Sequence, residues 1–410
     1  MRLLTLSQWY DPEPNFKGLA LASALQAKGH TVTALTGFPN YPAGKIYPGY
    51  RLRWRQWEIM DGVRVLRVPL YPDHSHSGIK RIINYASFAL SALTIGAALC
   101  GSADVMWVYH PPLTVGIPAW WIGLWRRIPF VYEVQDLWPE TLAATGMFRS
   151  PTAAKIVNIL ARFIYARAAA ITVISPGFKR NLIAKGVPAK KIHVIPNWAD
   201  ETLYRPVPRD EKLALESGLA DRFNIMFAGN MGAAQALNRV LDAAALLADL
   251  PRIQFVMLGD GIESAKLEQA TQERGLTNVR WLGRQPAERM PYWFALADVM
   301  LVHLKRDPLF EITIPSKTMA YLACGRPILG AVAGDTADLV LAAGAGICCA
   351  PEDPAALAQA ARALYAMSCE QRAAMGVAGR RYFLAEHTRA VLIDRYEALL
   401  SAVIASRRNT

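Results

Sequence analysis

Cysteine is scarce in this chain. Cys100, Cys324, Cys348, Cys349 and Cys369 are the only five in 410 residues. Their spacing fits no metal-ligand pattern, and their density is far below that of a disulfide scaffold. The expectation is packed thiols in a reducing compartment and no metal site. G-x-G-x-x-G and the Walker pattern are also missing, which argues against dehydrogenases and P-loop ATPases. Short repeats and low-complexity segments are absent, so the chain reads as globular. The opening run Arg2-Leu3-Leu4-Thr5-Leu6 soon meets Asp11 and Glu13, with no long apolar region or small-residue cleavage site. That predicts a mature cytosolic start. Neither Tyr85 to Cys100 nor the run around Trp120, Trp121 and Trp125 reaches the ~20 clean apolar residues of a spanning helix.

With 53% hydrophobic residues over this length, two domains are expected. The net charge of +12 is one-sided: residues 1–200 hold 22 Lys or Arg against 10 Asp or Glu, and residues 201–410 hold 23 against 23. Such an excess suits a partner carrying phosphates, either nucleic acid or an anionic membrane face. Ile79-Lys80-Arg81-Ile82-Ile83 precedes the uncharged stretch from Tyr85 to Cys100, and the tryptophans lead into Arg126-Arg127. Basic residues beside tryptophan-rich apolar helices make an interfacial anchor. The competing reading is a pair of core-facing helices. The expectation is a cytoplasmic protein, peripheral on the inner membrane, with no nucleic-acid partner, because no known nucleic-acid module is visible.

Short apolar strands alternate with helical patterns: Leu3 to Ser7, helix Lys17 to Lys28, Thr31 to Thr36, then Val63 to Pro69, Val105 to Tyr109, Phe130 to Glu133, Ile171 to Ile174 and His193 to Ile195. This predicts a parallel sheet of βα units. The rhythm breaks at Ile195 to Asp200, before Pro206 and Pro208. A second series follows: Asn224 to Ala228, Gln254 to Leu258, Val279 to Trp281, Val299 to Val302, Pro327 to Gly330 and Gly346 to Cys348. Two α/β, doubly wound, Rossmann-like domains are predicted, at 1–197 and 198–388, facing each other across a cleft. An amphipathic helix at about 389–406 could cross back onto the first domain.

Two predicted strands run into glycine turns, Gly229-Asn230-Met231-Gly232 and Gly259-Asp260-Gly261. Glycine there lets backbone amides approach a phosphate, so two such turns suggest a nucleotide diphosphate; each alone is equally the glycine of a tight strand end. In Ile314-Pro315-Ser316-Lys317-Thr318, Pro315 starts a helix whose free amides at Ser316 and Lys317 would face a phosphate, and Lys317 adds a full positive charge.

With Gly37-Phe38-Pro39-Asn40-Tyr41-Pro42-Ala43-Gly44-Lys45, Asp61 to Val68, Glu133-Val134-Gln135-Asp136-Leu137-Trp138-Pro139-Glu140, Ala228 to Gly232 and Pro315 to Pro327, the chain resembles the GT4 family of retaining glycosyltransferases over nearly its whole length. The resemblance is to the branch that builds O-antigen, capsule and colanic-acid polysaccharides and includes L-fucosamine transferases. It implies the GT-B fold, a UDP-sugar donor in the C-terminal domain, a polyprenyl-diphosphate-linked saccharide acceptor in the N-terminal domain, and no metal or cofactor. The implied donor residues are Gly18, Asn230, Gly232, Gln235, Gly259, Gly261, Arg284, Glu311, Ser316 and Lys317. Glu13, His110 and Gln135 would meet the acceptor, and Asp136 or Glu133 would orient or deprotonate its hydroxyl. The sugar implied is an N-acetylated deoxyhexosamine.

Asn230 and Gln235 stand where many members carry an Arg and a Lys, Ala320 where the family has a glutamate, and Gln135 where it has a histidine. Gln135 cannot shuttle protons, which leaves any base to its neighbours. Two other readings share the architecture: a nucleotide-sugar 2-epimerase, and a non-catalytic sugar-nucleotide-binding scaffold at the membrane.

Overall fold

Runs such as Val105-Met106-Trp107-Val108-Tyr109, apolar at every position, make strands that are buried on both faces, as parallel sheets require. The structure is a computed structural model that describes residues 1–15, 17–75, 77–141 and 150–408. The chain divides into two units, Met1–Pro196 with Ile393–Thr410, and Asn197–Leu392.

The first unit contains β1 (Arg2–Ser7), β2 (Thr31–Gly37), β3 (Gln56–Met60), β4 (Val63–Val68), β5 (Val105–Tyr109), β6 (Phe130–Val134), β7 (Ala170–Val173) and β8 (Ile192–Val194). They lie in the order β3-β4-β2-β1-β5-β6-β7-β8. The sheet is not wholly parallel, as the βα rhythm predicts, because β3 runs antiparallel to β4. Asp61 and Gly62, both at positive φ, close the two-residue hairpin between them. β1 sits between β2 and β5, so strand order reverses there. In doubly wound sheets, ligands bind at the carboxyl ends of strands beside such a reversal.

Against this sheet lies one helix of 22 residues, Gly78–Leu99, longer than the uncharged stretch suggests and including Lys80 and Arg81. It is long and apolar enough to cross a membrane, yet 39% of its most apolar window is buried in the domain. Phe88 and Ala92 are buried, and a Cβ at Gly96 would lie 2.6 Å from a Leu35 methyl, so the helix is pressed onto β2. Ile79, Ile82, Ile83 and Leu90 remain exposed.

The second unit contains β9 (Phe223–Asn230), β10 (Ile253–Asp260), β11 (Val279–Gly283), β12 (Val299–His303), β13 (Ile328–Ala331) and β14 (Gly346–Cys349), all parallel, in the order β11-β10-β9-β12-β13-β14. Alternation along β9 sends Met226 and Ala228 into the core on one face and Ile225 and Phe227 into the core on the other. The final helix, Arg389–Arg408, starts in this unit and continues into the first. Leu392, Tyr396, Leu400 and Val403 form its buried stripe at helical spacing.

Candidate active site

β9 and β10 stay in register to their last residues, with Gly229 opposite Gly259 and Asn230 opposite Asp260. A Cβ on Gly259 would lie 2.1 Å from the Gly229 carbonyl oxygen, and one on Gly261 would lie 2.3 Å from that of Met231. The neighbouring backbone therefore demands these glycines independently of any ligand. They do line a cavity of about 420 Å³, together with Gly229, Asn230, Asp260, Arg284, Gln285 and Met290. That volume suits a small-molecule ligand. Asn230 and Arg284 are exposed on its rim. Gln235 turns inward instead: its Oε1 accepts the Gly232 amide at 3.1 Å. The Gln235 Oε1 and the amide of Gly232 are thereby used in closing the turn.

Helix Ser316–Ala323 begins after Pro315 with no side-chain cap, and Ser316 is exposed at its start. Tyr321 locks the helix onto β9, its hydroxyl accepting from the Ala228 amide at 3.0 Å and donating to the Ala228 carbonyl at 3.1 Å. Lys317, four residues earlier, shares that helix face. Its Nζ lies 3.6 Å from the centroid of the Phe227 ring, and a Cβ at Gly229 would come within 3.1 Å of it. The ammonium is buried and has no hydrogen-bond partner among the described residues. Burial pushes its pKa down to about 7. An uncompensated buried cation is costly, so this one stands ready for an anion. Ala320 packs into the core where the family's glutamate would fall, and Glu311 is exposed at the end of the short helix Pro308–Glu311. The Glu311 carbonyl oxygen would lie 2.1 Å from a Cβ at Gly334, so its backbone is held even though its carboxylate is free to solvent.

In the first unit, Glu133 is fully buried in β6. Its carboxylate pairs with Lys17 Nζ at 2.5 Å and accepts from Gln135 Nε2 at 2.7 Å. It also accepts from Trp107 Nε1 at 3.2 Å, Thr172 Oγ1 at 2.8 Å and the Tyr396 hydroxyl at 2.5 Å. Five donors saturate this carboxylate, so the expectation that Glu133 acts as a base is corrected to a structural role. Gln135, expected at the acceptor, spends its amide on the same cluster.

Glu13 is buried as well, and its carboxylate accepts the amides of Asn40 and Tyr41, each at 2.7 Å, and of Tyr10 at 3.1 Å. Burial pushes its pKa up to about 7 against the pull of those amides. Glu13 staples two loops together, a correction to its expected contact with an acceptor. A Cβ at Gly18 would lie 2.4 Å from Asn15 Oδ1 and 2.7 Å from Asp11 Oδ2, the oxygen that accepts the Leu19 amide. Gly18 makes room for that cap.

His110 is buried at the end of β5 with its ring 5.4 Å from that of Trp138, and among the described residues neither ring nitrogen has a partner. Burial pushes its pKa down to about 3, so it is neutral at pH 7. Asp136 is half-buried, and burial pushes its carboxyl up to about 6. Of the two carboxylates expected to serve the acceptor hydroxyl, Asp136 is the one not consumed by internal pairing. Among the described residues, no group of three or more His, Cys, Asp or Glu could hold a metal ion. Tyr321, Phe227, Trp9, Tyr41 and His74 are absent from the residues expected at the site; Trp9 and Tyr41 carried a signal, aromatic rings just beyond strands β1 and β2.

Two Rossmann-like sheets in one chain, with these groups at the carboxyl ends of their strands, define the GT-B class of fold. The whole chain superposes on Anabaena Alr3699/HepE, solved in complex with UDP-glucose, at TM-score 0.71 and 18% identity, covering 98% of this chain and 100% of that one. Residues 19–198 match the glycosyl transferase 4-like domain and residues 222–367 match the glycosyl transferases group 1 domain; the chain belongs to the GT4 glycosyltransferases. It is 28% identical over 335 residues to the protein named as colanic acid biosynthesis glycosyl transferase WcaI of Escherichia coli, covering 79% of this chain and 82% of that one. It is 26% identical to the GDP-mannose-dependent alpha-mannosyltransferase of Mycolicibacterium smegmatis, over 94% of this chain and 95% of that one.

Proposed function

We propose that this glycosyltransferase moves a sugar from a UDP-sugar to a lipid-linked saccharide in surface polysaccharide biosynthesis, retaining the anomeric configuration and using no metal. The observation that carries this reading is the buried ammonium of Lys317, without a hydrogen-bond partner among the described residues, beside a nucleotide-sized cavity. In the reaction, the bond between the sugar's anomeric carbon and the diphosphate oxygen breaks, and negative charge collects on the departing UDP. Lys317 and the free amides of helix Ser316–Ala323 offset that charge. The acceptor hydroxyl, oriented by Asp136, attacks on the face the diphosphate leaves, and its proton passes to the diphosphate. Arg284 on the cavity rim is available to the nucleotide base. The name of WcaI supports a polysaccharide setting, and the UDP-glucose complex of HepE supports UDP. The sugar proposed is an N-acetylated deoxyhexosamine. The full-length similarity to a GDP-mannose-dependent enzyme makes GDP the competing nucleotide.

The same reading has the acceptor delivered at the cytoplasmic face of the inner membrane. Exposed Ile79, Ile82, Ile83 and Leu90 beside Lys80 and Arg81, and exposed Trp121, Leu124 and Trp125 before Arg126 and Arg127, support attachment there. A thermal-shift screen against UDP, GDP and their sugars, first with EDTA and then with Mg²⁺, tests the donor assignment, because a bound ligand raises stability by mass action. A UDP-selective shift in EDTA is expected. No shift with any nucleotide contradicts the proposal, and a shift that requires Mg²⁺ contradicts metal independence.

A further inference from the structure

We propose that the sugar moiety of the acceptor is bound on an aromatic strip along the carboxyl edge of the first sheet, formed by Trp9, Tyr41 and His74 and continued through Tyr85 and Trp138 to His110. The inference rests on the transferase reading and names the residues that would hold its second substrate.

The strip crosses the point where the strand order reverses. Trp9 follows β1 and His110 follows β5 on the two sides of the reversal; Tyr41 follows β2 and Trp138 follows β6. Trp9 and Tyr41 stack at 4.4 Å between centroids, and His74 meets Tyr41 edge-on at 4.7 Å. At the other end, Tyr85 lies 6.3 Å from Trp138, and Trp138 lies 5.4 Å from His110. Asn84, next to Tyr85, donates to the side-chain oxygen of Asn40, next to Tyr41, at 3.4 Å, which joins the two halves.

Tyr85 and His110 are buried, as packing buries Trp107, Tyr132 and Phe38 in the same unit, and they form the inner end of the strip. Trp9, Tyr41 and His74 each stay half-exposed. Buried backbone contacts hold them instead. Glu13 fixes the Tyr41 amide, the Tyr47 hydroxyl donates to the Tyr41 carbonyl at 2.7 Å, and Ser7 Oγ donates to the Trp9 carbonyl at 2.6 Å. Gly44, at φ +69°, lets the loop close on His74, where a Cβ would lie 2.3 Å from the His74 amide nitrogen. Half-exposed rings fixed by their backbone suit a ligand that is apolar on its face and polar at its rim. A pyranose ring has this character, its C–H face matching the negative face of an aromatic ring. Among the described residues, neither nitrogen of buried His110 has a partner, which supplies a second, independent sign, since buried polar groups normally have partners and a sugar hydroxyl would provide one.

The test uses the full chain saturated with UDP, with octyl β-glucoside and octyl N-acetyl-β-glucosaminide, both below their micelle concentrations, as probes in saturation-transfer NMR and affinity titrations. Wild type is expected to bind at least one glycoside, with saturation strongest at ring C–H protons. Trp9→Ala and Tyr41→Ala are expected to weaken it roughly tenfold, at unchanged UDP affinity, and Trp9→Phe to restore most of the loss. UDP binding also reports that each variant is folded. The inference is overturned if UDP binds normally but wild type takes neither glycoside, or if the alanine variants bind the glycosides as well as wild type does. A wild-type chain that binds no UDP overturns the transferase reading and this inference with it.

Discussion

Two lysines with buried ammonium groups behave in opposite ways in the two units. Lys17 is completely enclosed, but Glu133 sits 2.5 Å away and the Tyr396 hydroxyl 2.7 Å away, so its charge is matched and hydrogen-bonded. Among the described residues, Lys317 has only the face of Phe227. Desolvation costs both of them, and only Lys17 has a carboxylate in the folded chain that offsets part of that cost. Where a buried charge is matched internally, it fastens secondary structure: the Lys17 cluster ties helix Gly18–Ala27, β6 and the C-terminal helix together. Where it is left unmatched beside a cavity, the missing partner points to a ligand. Glu133 and Asp136, three residues apart, repeat the contrast with carboxylates.

Removing the Lys17 charge should produce the largest effect. Lys17→Met strands Glu133 in the core and should destabilise the protein by about 3–5 kcal/mol, read as a lowered denaturant midpoint. Lys317→Met should do the reverse, with stability unchanged or raised while turnover falls by roughly 10²–10³, the scale of losing one preorganised charge at a transition state. A Lys317→Met variant that unfolds like Lys17→Met would erase the distinction between the two. Tyr396→Phe, which removes one donor to a charged acceptor, should cost about 1.5–3 kcal/mol, measured by the same denaturant series.

The smallest effect is in pH dependence. Lys317 has its pKa pushed down to about 7 in the free protein, and a bound diphosphate favours the protonated amine and raises that pKa. Above pH 7, binding must therefore take up a proton, and UDP-sugar affinity should fall as pH rises, by up to about tenfold per unit. Affinity that rises or stays flat between pH 7 and 9 would separate Lys317 from the donor.

The strands were legible because their periodicity is local: in the second unit, five of the six predicted strands fall inside the observed ones, and the sixth, Pro327 to Gly330, starts one residue before β13. β3 was missed because Gln56–Met60 is a half-exposed edge strand after the arginine-rich residues 51–55, and its best signal was the Asp61-Gly62 turn rather than its own composition. Site roles were far less legible. The fate of Glu133 depends on Lys17, 116 residues away, and on Tyr396, 263 residues away, and sequence spacing carries no trace of either pairing. Glycines 259 and 261 occupy their expected turns for a reason visible only across two paired strands. Lys317 could be singled out because Pro315 marks a helix start, but the lack of a hydrogen-bond partner for its ammonium among the described residues is a property of the fold.

The most direct test of the account is calorimetric titration of UDP-glucose at pH 8 in EDTA, using two buffers of different ionisation enthalpy, for wild type and Lys317→Met. The account predicts proton uptake by wild type, and weaker binding without that uptake in the variant. Equal affinities with no proton uptake in either protein would contradict it.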